Sequence, residues 1–274
     1  HATTLQLTVT ADMGTYTYTH QVPINRVIGV VESSDPFADN INRFWIYDNS
    51  DTLYTEHPTY DWVEIAPAAG GAGTEIPFSS GDQTSALHLP FSYAYYGVTK
   101  DSLSVSTDGW VRPGRTTMTN HSNTVLPNSS DNIPGMIAPL WFDLWRPTGE
   151  AGEICYYYDA ISDRFIVEWY NIHHPGPNDT LFETFQIQLL NPATYPTQSG
   201  DAIWIFQYQE TSPWVNGAVG ATVGFESPSQ ANGATYVYHG SYTTGAATVQ
   251  AGRAIKLTTE PPAILSATPR QVAL

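Results

Sequence analysis

Apolar and polar residues alternate along most of this chain in short runs, broken by Gly, Pro, Asn and Asp. Leu5-Gln-Leu-Thr-Val-Thr10 and Thr15-Tyr-Thr-Tyr-Thr19 alternate one for one, with Asp12-Met-Gly14 between them as a turn. A period of two places successive side chains on opposite faces of an extended strand, so each such run predicts a strand with one apolar face. Arg26 to Glu32 is a third candidate, followed by a loop over 33–43 and the apolar run Phe44–Tyr47. Helical periodicity is almost absent.

Tyr60–Ile65 leads into Ala66-Pro-Ala-Ala-Gly-Gly-Ala-Gly73, whose small residues predict a linker or flexible loop. Strands are then expected at about 86–96, 102–106, 110–113, 136–144, 154–158 and 164–170, and further at 183–190, 202–209, 221–226, 235–238 and 255–258. Asp108-Gly109 falls where a tight hairpin turn belongs, and Asp-Gly suits a type I′ turn because both central residues need positive φ. Asp159–Asp163 predicts a second hairpin connection between its flanking runs. In Arg164–Tyr170, Phe165, Val167 and Trp169 share one face, while Ile166, Glu168 and Tyr170 share the other. In Phe185-Gln-Ile-Gln-Leu189 the apolar residues are expected to face in and the glutamines out. Two such sheets packed face to face give a sandwich.

The pattern therefore predicts an all-β chain: an antiparallel, jelly-roll-like β-sandwich with extra N-terminal strands and an extended C-terminal arm. The expected division is 1–59 for N-terminal strands packed on or extending the sandwich, 60–259 for the sandwich and 260–274 for an arm or linker.

Composition narrows the class. The chain has 274 residues, 41% hydrophobic and 13% aromatic, enough to bury a substantial core without covalent staples. Only 13% are charged, against roughly 25% in an average soluble domain. Tyr, Trp, Ser and Thr take up that surface, a usage common in secreted β proteins. Ten Lys and Arg stand against 26 Asp and Glu, a net charge of −16. Such a surface repels polyanions, which excludes nucleic acid and anionic membranes as natural partners. No apolar run is long enough for membrane insertion. The single cysteine, Cys155, rules out an intrachain disulfide and a multi-cysteine zinc site, and reads as a small buried strand residue. The chain begins at His1 rather than methionine, which a removed signal peptide and a trimmed boundary explain equally well. Sequons stand at Asn120, Asn128 and Asn178, all in polar stretches.

Certain motifs follow one another in a telling order. They are Tyr60-Asp-Trp-Val-Glu-Ile65, Leu89-Pro-Phe-Ser-Tyr-Ala-Tyr-Tyr-Gly97, Val105-Ser-Thr-Asp-Gly-Trp110 and Ile137-Ala-Pro-Leu-Trp-Phe-Asp-Leu144. Arg164-Phe-Ile-Val-Glu-Trp169, Glu183-Thr-Phe-Gln-Ile-Gln-Leu189, Gly224-Phe-Glu226 and Gly252-Arg-Ala-Ile-Lys-Leu-Thr-Thr259 continue the series. In this order they resemble a nidogen-like β-sandwich module of bacterial secreted multidomain proteins. The resemblance implies a non-enzymatic structural or adhesive role at an extracellular or cell-surface location, with other surface proteins as partners.

Candidate chemistry is sparse. Asp48, Asn49 and Asp51 with Glu56 read either as an oxygen cage for calcium, the one cofactor considered, or as a solvated Asx-rich turn. The resembling modules often carry an Asp-rich turn at this point. Asp143, flanked by Phe142 and Leu144, must be paired, hydrogen-bonded or protonated if buried; a structural role is expected for it, as for Asp108. A glycosidase would need a second carboxylate opposite Asp143, for which Glu168 or Glu183 are available. His173-His174 would point to opposite faces of a strand and make poor joint ligands there, though a loop could converge them. No catalytic nucleophile, metalloprotease or phosphate-binding motif is present, so no catalytic residue is assigned. Trp45, Trp145 and Trp214 are candidates for stacking on sugar rings, which makes a carbohydrate-binding accessory module the alternative to a structural protein. The two ends offer strand or arm exchange, and a head-to-tail contact of that kind propagates into a filament.

Overall fold

The computed structural model describes residues 3–12, 17–28, 31–79, 81–144, 152–174 and 181–263, the first two segments by their backbone alone. Apart from a 3₁₀ turn at Pro67–Ala69, its regular structure is all strand. β1 (Thr3–Asp12) and β2 (Thr17–Ile28) form an antiparallel hairpin that is a sheet of its own. The expected separate strand at Arg26 is instead the end of β2. Pro23 lies within that strand opposite Gln6, tolerated because both strands of a lone hairpin have an open edge.

The remaining strands make two sheets. One has eight strands: β3 (Phe37–Ala38), β4 (Trp45–Asp48), β5 (Thr74–Glu75), β10 (Glu153–Asp159), β11 (Arg164–His173), β12 (Phe182–Leu190), β13 (Trp204–Glu210) and β17 (Ala254–Thr258). Their order across the sheet is β3-β4-β17-β13-β12-β11-β10-β5. The other has seven: β6 (Thr84–Tyr95), β7 (Val98–Ser106), β8 (Val111–Pro113), β9 (Ile137–Trp141), β14 (Thr222–Glu226), β15 (Gly233–Tyr238) and β16 (Ser241–Tyr242), in the order β16-β15-β14-β9-β8-β7-β6. All the strand pairs are antiparallel. The chain lays down β6 to β9 as one meander, β10 to β13 as a second in the opposite sheet, then returns to the first and finally to the second.

The sheets pack as a sandwich. Phe165, Val167 and Trp169, predicted to share a face, all enter the core with Leu103, Val105, Val223 and Phe225 of the opposite sheet. Trp169 stacks on Phe185, centroids 4.9 Å apart and planes 9° apart. Polar tips of aromatic side chains bond across the interior, as buried rings with one polar atom require. Trp169 Nε1 donates to the Ser106 carbonyl at 2.9 Å, the Tyr208 hydroxyl to the Pro139 carbonyl at 2.5 Å, and the Tyr236 hydroxyl to Asp48 Oδ2 at 2.7 Å.

The outer face of the eight-stranded sheet departs from expectation. Gln186 and Gln188 point away from the core, yet both are fully buried, as is Glu168. The segment 60–66 runs across them without joining the sheet. Its backbone is satisfied by side chains instead. Gln207 Oε1 accepts from the Asp61 amide (2.6 Å) and Gln207 Nε2 donates to its carbonyl (2.8 Å), Gln186 Nε2 donates to the Val63 carbonyl (2.5 Å), and Glu168 Oε2 accepts from the Ile65 amide (3.2 Å). The glutamines face a strap rather than water. Cys155, buried as expected, packs under this strap with Ile65 and Ile166. The small-residue stretch that follows is a tight turn, with Gly70 at φ 90° closing the 3₁₀ helix and Gly71 so close to Ile65 that a Cβ would lie 2.2 Å from its carbonyl carbon.

Candidate functional site

The acidic loop around Asp48 is organised by a cation of the chain itself. Asp48 is buried and receives Ser50 N (2.7 Å), Ala247 N (3.1 Å), the Tyr236 hydroxyl and Arg253 Nη1 (3.0 Å). Arg253 Nη1 also donates to Asn49 Oδ1 at 2.7 Å. Its guanidinium thus stands between two of the oxygens considered as calcium ligands. Glu56 turns away to Lys256 Nζ at 2.6 Å. Asp51 accepts from the Asp48 amide at 2.8 Å, and burial, with the charges of Asp48 and Asp35, pushes its carboxyl up to about 8. The structure therefore joins Asp48 and Asn49 through Arg253 and leaves Glu56 in a separate ion pair.

Of the three tryptophans, Trp45 and Trp214 lie among the described residues. Trp45 is half-buried in β4 opposite Thr258. Trp214 is 41% exposed and stacks on His174, centroids 6.0 Å apart. Trp145 lies outside the described residues.

Glu168 and Glu183 are both completely buried, so neither can reach a substrate opposite Asp143. Burial and the charge of Glu64 hold the Glu168 carboxyl up at about 8. Glu183 bonds His174 Nε2 at 2.6 Å, the Ser212 amide at 2.9 Å and the Ser212 hydroxyl. Serine, histidine and glutamate suggest a nucleophilic triad, but the geometry is wrong for one. A relay needs the acid and the hydroxyl on different ring nitrogens. Here both meet Nε2, the hydroxyl at 3.4 Å, while Nδ1 has no partner. The group is a buried polar knot tying β12 to the chain after β13.

Asp108 and Asp143, separate in sequence, come together at the mouth of the β7–β8 hairpin. The turn is a hairpin turn as predicted, but of another type. Ser106 N bonds the Trp110 carbonyl (2.9 Å) around three residues, and only Gly109 has positive φ, 71°. This is the three-residue loop closed by a left-handed glycine rather than the two-residue type I′ turn. The reason is the neighbour: the Leu140 amide donates to the Gly109 carbonyl (3.2 Å) and the Phe142 amide to the Asp108 carbonyl (3.3 Å), seating the turn against the end of β9.

That docking sets Asp143 near Asp82, which precedes β6, and His121, from the long loop after β8. Asp82, His121 and Asp143 each offer a ligand atom, all within 4.8 Å of one another. His121 Nδ1 lies 3.2 Å from Asp82 Oδ1, and both side chains are about half exposed. Beneath them Asp108 is fully buried, with Oδ1 lacking any hydrogen-bond partner. Burial, together with the charges of Asp82 and Asp143, pushes its carboxyl up to about 7, partly offset by a hydrogen bond from the Leu144 backbone and by His121, while Oδ2 accepts from the Ser106 hydroxyl at 3.3 Å. Two indoles grip the chain beside His121: Trp110 Nε1 (3.1 Å) and Trp141 Nε1 (2.9 Å) both donate to the Asn120 carbonyl. Each of those tryptophans lies two residues from one of the carboxylates. Neither Asp82 nor His121 stands in a recognisable ligand spacing, since the four residues come from four separate segments. The nearest sequence signal was Asp108-Gly109 itself, which marks a turn and not its neighbours.

A family model described as NIDO related matches residues 55–264, well over half of the chain. The chain belongs to the NIDO-related family. The match embraces both meanders and the strap, and begins after β4. Membership agrees with the nidogen-like order of motifs and indicates an extracellular module. Comparison with curated proteins and with solved structures gave no match. No helix among the described residues is long and apolar enough to cross a membrane.

Proposed function

We propose that this NIDO-related chain is a non-enzymatic structural or adhesive protein, a building block of an extracellular surface layer or filament assembled by strand or arm exchange between subunits. The observation that carries this reading is the hairpin β1–β2. It has strands of 10 and 12 residues, yet pairs with neither sheet of the sandwich. The seven-stranded sheet ends on β6, a 12-residue strand whose outer edge meets a bridge at Ala94–Asp201 and has no other strand partner among the described residues. A row of open backbone donors and acceptors is a template for another chain's strand. The acidic surface disfavours anionic partners.

The test compares the full chain with one lacking residues 1–30, by light scattering over a concentration series with and without calcium and by electron microscopy. The full chain is expected to form fibres or sheets, and the shortened chain to remain monomeric with the sandwich's β spectrum retained, less the contribution of the deleted hairpin. A sharp monomer for the full chain throughout would overturn the proposal. The alternative, a carbohydrate-binding accessory module, rests on the exposed ring of Trp214. Glycan-array binding by the monomer, lost in Trp214→Ala, would favour it instead.

A further inference from the structure

We propose that Asp82, His121 and Asp143, backed by the buried Asp108, bind a divalent transition-metal ion of the Mn²⁺ or Zn²⁺ kind. This goes beyond the assembly reading and does not depend on it. The three outer residues present ligand atoms within 4.8 Å of one another, close enough that small rotations of the half-exposed Asp82 and His121 side chains would bring all three to about 2.0–2.2 Å from a shared ion. One imidazole with carboxylates selects a borderline ion. Calcium would want an all-oxygen shell and would leave the ring unused.

Asp108 supplies the second, independent reason. It has no solvent exposure, and its Oδ1 has no hydrogen-bond donor. A buried, unpartnered carboxylate oxygen is costly, and proteins rarely leave one without a cause. The charged groups that reach this carboxylate are Asp82, Asp143 and His121, the same three. A cation among them compensates all three carboxylates at once.

The surroundings are built rather than accidental. His121 is positioned by the two indole bonds to Asn120, and Asn120 is further fixed by its Nδ2 bond to the Asp131 carbonyl (3.1 Å). Gln83, next to Asp82, is tied to Thr107, next to Asp108, by bonds of 2.9 and 3.0 Å. Asp108 is tied to the Asp143 segment through the Phe142 amide. An ion here would cross-link the approach to β6, the β7–β8 turn, the loop after β8 and the exit of β9.

The experiment uses the full chain, stripped with a chelator and titrated with Mn²⁺, Zn²⁺ and Ca²⁺ by calorimetry and thermal melting. One Mn²⁺ or Zn²⁺ per chain is expected, raising the melting temperature, with Ca²⁺ far weaker. Asp82→Asn and His121→Gln change half-exposed side chains and should fold normally, each weakening binding about tenfold or more. Asp108→Asn should also weaken binding, while the metal-free variant is at least as stable as the parent because a buried charge has been removed. Mn²⁺ should broaden the His121 ring resonances in NMR spectra. Absence of saturable binding by either ion up to about 1 mM, binding unchanged in the Asp82→Asn/His121→Gln double variant, or a preference for Ca²⁺ that survives His121→Gln would each overturn the assignment.

Discussion

Gly109 occupies the left-handed region at φ 71°, and a Cβ there would sit 1.9 Å from the Leu140 carbonyl oxygen. Two penalties therefore combine at one position: the conformational cost of a side chain at positive φ, about 1–2 kcal/mol, and displacement of the end of β9. Gly109→Ala is expected to destabilise the chain by more than about 2 kcal/mol, read from the midpoint of urea unfolding. A loss of under a few tenths would show that the turn is not seated on β9. Asp108-Gly109 was legible as a turn because Asp-Gly has few other uses between alternating runs. Its type was not, because the second and third loop residues answer to Phe142 and Leu140, about thirty residues away. Asp143 was legible only as an ambiguity, since nothing local names the groups it meets.

The strap over 60–66 shows the same limit for an element. Alternation in Phe185–Leu189 separates two faces correctly, and the inner one holds Phe185, Ile187 and Leu189 in the core. It does not say what covers the other face. Glutamine is as suitable for bonding a passing backbone as for meeting water, and here Gln186, Gln188 and Gln207 bond the strap. Replacing Gln186 with Ala removes the donor to the half-buried Val63 carbonyl and one donor to the buried Glu168. A cost of about 1–3 kcal/mol is expected, with faster amide exchange or proteolysis at 60–66 and an unchanged β spectrum. Unaltered protection of those amides would refute the role given to the strap.

At the scale of the whole molecule, buried acids set the response to pH. Asp51 and Glu168 titrate at about 8 and Glu226 at about 7, in each case chiefly because burial penalises the charged form. Their ordinary values lie near 4. Between pH 4 and 8 the folded chain therefore holds more protons than the unfolded one, and stability falls as pH rises through that window. The net charge of −16 acts in the same direction, because ionisation adds repulsion. In chelator-containing buffer the melting temperature is expected to be higher at pH 5 than at pH 8.5; a rise with pH would contradict these assignments. The sandwich joins its sheets by alternate visits, so a local lesion in either meander should loosen both.

The sequence by itself determined the all-β class, the antiparallel pairing, the core faces of the central strands and the family. Period-two alternation, aromatic content and turn residues are local properties, written within a few neighbouring positions. Only the tertiary structure decided that Arg253 serves Asp48, that a strap buries the glutamines, that the N-terminal hairpin forms a sheet apart and that Asp82, Asp108, His121 and Asp143 converge. Each of these depends on segments tens to hundreds of residues apart meeting in space. Pattern along a chain records which face is apolar, but which polar groups meet is settled by the packing of the sheets and the loops laid over them.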